Sequence, residues 1–212
     1  MARAPSSAGK TRLAPYLSNS RLHALRLALL ADTLRVLSSV PGIDLTVFYT
    51  PEKTASEIRT ICGPRVPLVP QSTGDLGSRM QAAIAHLLDL RGVGAALLVG
   101  SDVPLIAGEC VAEASALLDG PERVVIGPAD DGGYYLIGMR QAHSALFEQI
   151  SWGSSTTLTE TRLAAERAGL EIRLIRSGYD VDTMDDLQRL ERDLESAPPD
   201  TAAAMRAWFK AA

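Results

Sequence analysis

Five apolar residues in a row, Ala95-Ala96-Leu97-Leu98-Val99, run through Gly100 and Ser101 into a lone carboxylate, Asp102, followed by Val103 and Pro104. An unbroken apolar run of this length, closed by Gly and then Pro, reads as a strand buried on both faces, hence a strand of a parallel sheet. Pro104 cannot donate to a ladder and stops the strand. In open α/β sheets, ligands sit beyond the carboxyl ends of the strands. Asp102 therefore stands where a carboxylate can hold a metal ion against phosphate oxygens. Equally, it could only cap a turn.

The rest of the chain alternates strand-like and helical stretches. Ser18-Asn19-Ser20 can cap a helix carried by Leu22, Leu25, Leu29, Thr33, Leu37 and Val40 and ended by Pro41-Gly42. Strand-like runs follow at 43–49, 66–69, 124–127 and 171–175, with helical patterns at 54–61, from the 71–80 loop to about 90, and at 108–118, 144–149, 156–168, 184–195 and 201–210. Such alternation predicts an α/β three-layer sandwich around a mostly parallel, Rossmann-like sheet. A domain is expected over residues 1–196, with a linker and short C-terminal helix over 197–212.

Composition narrows the partners. With 21 basic and 25 acidic residues the net charge is −4, which argues against a nucleic-acid-binding face but not against local phosphate binding. No apolar run approaches the ~20 residues that span a bilayer, and the N-terminus lacks a signal-peptide core. The expected protein is cytoplasmic, with neither membrane nor nucleic acid as partner. Cys62 and Cys110 match no metal or redox spacing and read as reduced core thiols.

Four segments carry possible chemistry. Pro5–Arg12 is a small-residue loop with two cations, Lys10 and Arg12, beside Gly9 and Thr11. Formally Ala4–Thr11 fits a relaxed P-loop, but a P-loop needs a strand before it and a helix straight after Gly-Lys-Thr, where Pro15 intrudes. Gln71–Met80, containing Gly74, Asp75, Gly77 and Arg79, enters a helix, whose N-terminus offers amides to an anion; Gly74-Asp75 is also an ordinary turn and cap. Asp130-Asp131-Gly132-Gly133-Tyr134-Tyr135 forms the densest cluster, either a hairpin turn or a site. Asp180 and Asp182 fall on one side if their segment is extended. They are candidates for the second half of a metal site with Asp102, or for plain capping before the helix at Met184.

Taken together, Gly9–Leu13, Gly74–Met80, Ser101–Pro104, Gly127–Gly138, Trp152-Gly153 and Asp180–Thr183 resemble a bacterial transferase family of the nucleotide-diphospho-sugar transferase superfamily. Its members are labelled radical-SAM/selenodomain-associated transferases or glycosyltransferase-like proteins. The resemblance runs from Ala4 to about Leu190. The Lys10–Ala14 segment and the helix ending Ala31–Leu34 are also similar to phospholactate guanylyltransferases, and Asp180–Leu187 to the metal-side motif of molybdopterin nucleotidyltransferases.

The resemblance implies an A-type glycosyltransferase fold, a nucleotide or nucleotide-sugar donor, a small-molecule acceptor and Mg²⁺ or Mn²⁺. By that analogy Lys10 and Arg12 grip the donor phosphates in a loop with Gly9 and Thr11, and Asp102 ligates the metal. Asp182, with Asp180, completes the metal site. Gly74, Asp75, Gly77 and Arg79 lie near the nucleotide, while Asp130, Asp131, Gly132, Gly133, Tyr134, Tyr135 and Trp152 shape the acceptor side. Such relatives carry a full strand before the phosphate loop, whereas here the loop begins almost at once, so the first strand is expected to be truncated. Nucleotidyl and glycosyl transfer both fit, and the rivals are a non-catalytic nucleotide-binding module and a P-loop NTPase.

Overall fold

The computed structural model describes residues 1–211, and the chain divides into two compact units. The first comprises Met1–Pro70, Ser101–Gly108 and Tyr179–Ala212; the second, Gln71–Gly100 and Glu109–Gly178.

In the first unit, β1 (Ala2–Arg3), β2 (Val47–Thr50) and β3 (Leu68–Pro70) form a parallel sheet in the order β1-β2-β3. β1 has two residues, paired with Tyr49 and Thr50, and Ala4 donates onward to the Thr50 carbonyl. Helix α1 (Asn19–Ser39) starts at Ser18, whose hydroxyl accepts the Arg21 amide, and turns Leu22, Leu25 and Leu29 inward. Those leucines form one core with Leu13, Val181 and the apolar faces of α6 (Met184–Ser196) and α7 (Ala203–Lys210). A second core joins Ala2, Ala4, Leu30 and Leu34 to β2 and to Ile58 of α2 (Ala55–Cys62).

The residue before α7, Ala202, has no side chain with which to cap it. Asp32 of α1, only 4% exposed, does so instead, accepting the Ala204 and Met205 amides at 3.0 and 2.9 Å. A buried carboxylate is stable there because it meets the unpaired donors and positive end of a helix. The C-terminal helix is thus built into the first unit.

The second unit holds β4 (Ala96–Val99), β5 (Arg123–Pro128), β6 (Tyr134–Met139) and β7 (Glu171–Leu174), in the order β4-β6-β5-β7. Helices α3 (Leu76–Leu88) and α5 (Thr157–Arg167) belong to it, as does most of α4 (Gly108–Ala116). β6 runs antiparallel to both β4 and β5, while β7 is parallel to β5. The apolar run before Asp102 therefore pairs antiparallel with β6, contrary to its reading as a parallel strand. A continuous apolar run reports burial on both faces, and a strand can have that whatever its neighbour's direction.

Three of the five strand pairings among the described residues are parallel. Cys62 and Cys110 are free thiols, but half-buried rather than core. Among the described residues, no helix is long and apolar enough to cross a membrane.

Candidate active site

Residues 5–17 form a succession of turns between β1 and α1. No helix follows Gly9-Lys10-Thr11 directly, as a P-loop requires; α1 begins only at Asn19. Side chains from elsewhere in the first unit brace this loop. Glu57 of α2 accepts both the amide and the hydroxyl of Ser6. Arg3 donates to the Ala8 carbonyl at 3.1 Å, and Arg26 of α1 donates to the Ser7 carbonyl.

With those carbonyls drawn to guanidinium groups, the amides of Ala8, Gly9, Lys10, Thr11 and Arg12 have no partner among the described residues. Lys10 takes a left-handed φ of 54°. Successive unpaired amides around a left-handed residue form a concavity suited to an anion.

The same backbone turn sends the Lys10 side chain inward, where it is 4% exposed. Its Nζ donates to Asp102 Oδ2 at 2.7 Å and to Asp182 Oδ1 at 2.9 Å. Burial alone would pull this ammonium down, but the fields of Asp102 and then Asp182 outweigh it and hold its pKa above the ordinary lysine value. Lys10 is thus a permanent cation at neutral pH. The two carboxylates stay half exposed, at 49% and 45%, so both still face water.

Asp102 and Asp182 are tied through the backbone, since Val181, fully buried, donates to the Asp102 carbonyl at 3.4 Å. Just beyond, Thr183 and Asp186 form a reciprocal capping box at the start of α6.

Three predicted site residues, Lys10, Asp102 and Asp182, therefore converge. Arg12 is exposed on the same loop. Asp180 is half-buried, and the expected trio Asp102-Asp180-Asp182 does not form: no cluster of three His, Cys, Asp or Glu ligands exists among the described residues. Residues 179–182 lie outside any strand, so the two-residue alternation that would align Asp180 with Asp182 is not imposed. What remains is a carboxylate pair with charge −2 answered by one ammonium. Hard oxygen donors of this kind suit Mg²⁺ or Mn²⁺, and Mg²⁺ characteristically uses one or two carboxylates together with substrate phosphates.

In the second unit the loop before α3 is closed on itself. Asp75 caps α3, accepting the Ser78 amide at 2.8 Å and its hydroxyl at 2.7 Å, and those bonds hold its carboxyl below the usual range. Arg79 Nε donates to the Gly74 carbonyl at 2.9 Å. The helix N-terminus anticipated as an anion cradle already holds the Asp75 carboxylate. Gly77 is needed for packing: a Cβ there would lie 2.5 Å from both the Phe147 carbonyl oxygen and Trp152 Nε1.

The Asp130–Gly133 segment is the turn of the β5–β6 hairpin. Asp131 accepts the Gly133 amide, and Gly132 takes a φ of 87° with the Ser155 carbonyl oxygen 2.2 Å from where a Cβ would stand. Tyr134 meets Trp152 edge-on at 6.2 Å, and burial pushes its phenol well above the ordinary value. Tyr135 donates to the Arg176 carbonyl at 2.8 Å; chiefly through burial its pKa is pushed up to about 12. Of this predicted group, Asp130 and Asp131 are exposed at the turn, while both tyrosine rings pack within the unit.

The residues that sequence reasoning missed are the braces: Glu57, Arg26, Arg3 and Asp186. Only Asp186 had a local signal, the Thr-x-x-Asp pattern of a capping box.

A family model described as "Uncharacterized protein conserved in bacteria (DUF2064)" matches residues 33–154, more than half of the chain. The chain belongs to this family. The DUF2064 match takes in Asp102, the Gly74–Arg79 loop, the β5–β6 turn and Trp152, while Lys10 and Asp182 lie outside it.

Phosphoenolpyruvate guanylyltransferase from Roseiflexus sp. (strain RS-1) is 29% identical over 200 residues, covering 92% of this chain and 82% of that protein. A crystal structure of a candidate nucleotide-diphospho-sugar transferase from Desulfovibrio desulfuricans G20 matches with a TM-score of 0.87 at 32% identity, over 97% of this chain and 91% of the other. 4-diphosphocytidyl-2C-methyl-D-erythritol synthase from Anaerococcus prevotii DSM 20548 matches with a TM-score of 0.57 at 15% identity, over 79% and 86%, a likeness of fold alone.

The expected α/β fold of the Rossmann-like, A-type kind is borne out. The resemblance to nucleotide-diphospho-sugar transferases and guanylyltransferases is borne out as well. These relatives support a transferase of the nucleotidyl or glycosyl kind with a nucleotide donor.

Proposed function

We propose that this DUF2064 protein is a divalent-cation-dependent nucleotidyltransferase that moves a nucleoside monophosphate from a nucleoside triphosphate to a small anionic acceptor. One observation carries the reading. A buried, permanently charged lysine joins two half-exposed carboxylates beneath a loop of unpartnered amides. The guanylyltransferase relative favours GTP as the donor to test first.

In this reading the amides of residues 8–12 and the exposed guanidinium of Arg12 receive the donor's β- and γ-phosphates. Asp102 and Asp182 hold Mg²⁺ or Mn²⁺, which when bound supplies positive charge to the phosphate oxygens. An acceptor oxygen bonds to the α-phosphorus, the α–β anhydride bond breaks, and pyrophosphate leaves with the bonding electron pair. Lys10, Arg12 and the loop amides meet the charge that grows on that leaving group, and their fixed placement spares reorganisation during the reaction. An acceptor that is already an oxyanion needs no base to strip a proton, which suits a cluster built from Lys and Asp.

A second reading, glycosyl transfer from a nucleotide-sugar, is favoured by the likeness to the D. desulfuricans protein. The same phosphate-binding residues serve it, because there the leaving group is a nucleoside diphosphate.

Pyrophosphate release from GTP, with Mg²⁺ or Mn²⁺ and a panel of small phosphorylated acids, tests the proposal. Wild-type protein should release pyrophosphate only in the presence of both metal and acceptor. Lys10→Met and Asp102→Asn should each lower the rate by about 10²–10³ while leaving the fold intact. Release of nucleoside diphosphate from a nucleotide-sugar, without pyrophosphate from any triphosphate, selects the second reading. A folded protein that turns over neither donor overturns both.

A further inference from the structure

Asp182 owes its place to a residue outside the cluster. One oxygen of Asp186, Oδ2, accepts three hydrogen bonds: from the Asp182 amide at 3.0 Å, the Thr183 amide at 2.7 Å and the Thr183 hydroxyl at 2.8 Å. In return the Asp186 amide donates to Thr183 Oγ1 at 3.2 Å. Capping α6 requires only the exchange with Thr183. The bond to the Asp182 amide adds nothing to the cap, because residue 182 precedes the cap residue.

Its effect is on direction. The Val181 amide is held by the Asp102 carbonyl, and those of Asp182 and Thr183 by Asp186. With three successive peptides fixed, the Cα–Cβ bond of Asp182 has one orientation, and the carboxylate reaches Lys10 Nζ through side-chain rotation alone. Asp182 itself is nearly half exposed, so packing does little to restrain it.

We infer that Asp186 is a positioning residue for the Lys10–Asp102–Asp182 cluster, acting through the backbone of Asp182 on the carboxylate that meets the donor's cation. The assignment of that cation and donor rests on the function proposed above; the positioning of Asp182 against Lys10 does not. Hydrogen-bonded partners one step behind a ligating carboxylate commonly matter to affinity by about 10–100-fold.

Two readouts on the full chain separate these parts. The chain has three lysines, and Lys53 and Lys210 are exposed. In ¹⁵N-lysine-labelled protein the buried Lys10 ammonium should therefore give the slowly exchanging NH₃⁺ signal, with no ligand present. The second readout is the dissociation constant for Mn²⁺ with GTP.

Asp186→Ala should shift or broaden away the Lys10 signal and weaken Mn²⁺–GTP binding about 10–100-fold. Asp186→Asn, which keeps the shape and an acceptor oxygen, should show smaller changes in the same direction, and it carries the test if the alanine variant does not fold. Thr183→Ala loses the hydroxyl of the capping box but keeps the Asp182 amide on Asp186. It should lower the melting temperature and leave both readouts at their wild-type values.

The inference is overturned if both Asp186 variants leave the two readouts where Thr183→Ala leaves them, or if Thr183→Ala changes them as strongly. If wild-type protein fails to bind Mn²⁺–GTP while the Lys10 signal follows the expected pattern, the positioning role stands and the donor assignment falls.

Discussion

At the scale of single residues, sequence separation sets what can be read. Lys10 is 92 residues from Asp102 and 172 from Asp182, yet one ammonium touches both. Each partner was identifiable alone, because a lone charge beside a strand end or in a small-residue loop stands out from an apolar background. That they share an ion pair, leaving Asp180 out, depends on backbone directions no local pattern encodes. The tyrosines of the β5–β6 hairpin show the opposite case. Two aromatics beside two acids suggest a binding surface, but Tyr135 is 6% exposed and gives its hydroxyl to the Arg176 carbonyl. That difference is testable through pH. The buried phenol resists ionisation, so its folded pKa, about 12, stands above the ordinary value of 10.0. Its contribution to stability is complete below pH 10 and is lost as pH rises through about 12. Tyr135→Phe should cost about 1 kcal/mol in urea unfolding near pH 7. The gap between variant and wild type should close towards pH 12; a gap that is absent at pH 7, or unchanged at high pH, contradicts the buried hydrogen bond.

At the scale of elements, most helices and strands were legible because apolar spacing and caps agree. The helix from Asn19 and the helix from Met184 begin where Ser18 and Thr183 predict. What the pattern missed is how ends and glycines are used. The Gly74–Met80 loop reads either as an anion cradle, since it leads into a helix N-terminus, or as an ordinary turn and cap. Asp75 caps the helix N-terminus, and Gly77 admits the indole of Trp152 and the Phe147 carbonyl. A methyl group at residue 77 would therefore meet a ring and a backbone oxygen at once, and the backbone oxygen cannot move without displacing the chain. Gly77→Ala should destabilise the protein by roughly 1–3 kcal/mol, as overpacking in a closed site does. The emission of Trp152 should shift as its ring is pushed outward, read against Trp208 by difference with a Trp208→Phe background. Unchanged stability and emission would mean that Gly77 serves a ligand rather than the indole.

At the scale of the whole molecule, the question is which nucleotide the native state recognises, and stability answers it without knowledge of the acceptor. A ligand that binds only the folded protein raises the unfolding free energy by about 2.7 kcal/mol at one hundred times its dissociation constant. For a chain of this size each kcal/mol corresponds to about 2–4 °C in melting temperature, so a true donor should raise it by roughly 5–11 °C. The panel is the four nucleoside triphosphates and a set of nucleotide-sugars, each with and without Mg²⁺ or Mn²⁺. GTP with metal is expected to give the largest shift. The shift should be small without metal, because Asp102 and Asp182 then face the donor's phosphates carrying more negative charge than Lys10 offsets. Asp102→Asn removes one of those charges, so it should weaken the metal-dependent shift while leaving, or even enlarging, whatever binding GTP shows alone. A module that merely holds nucleotides through the loop amides predicts the reverse: equal shifts with and without metal, and indifference to Asp102. A shift carried by a nucleotide-sugar and by no triphosphate would assign the same amides, lysine and carboxylates to a nucleoside diphosphate leaving group.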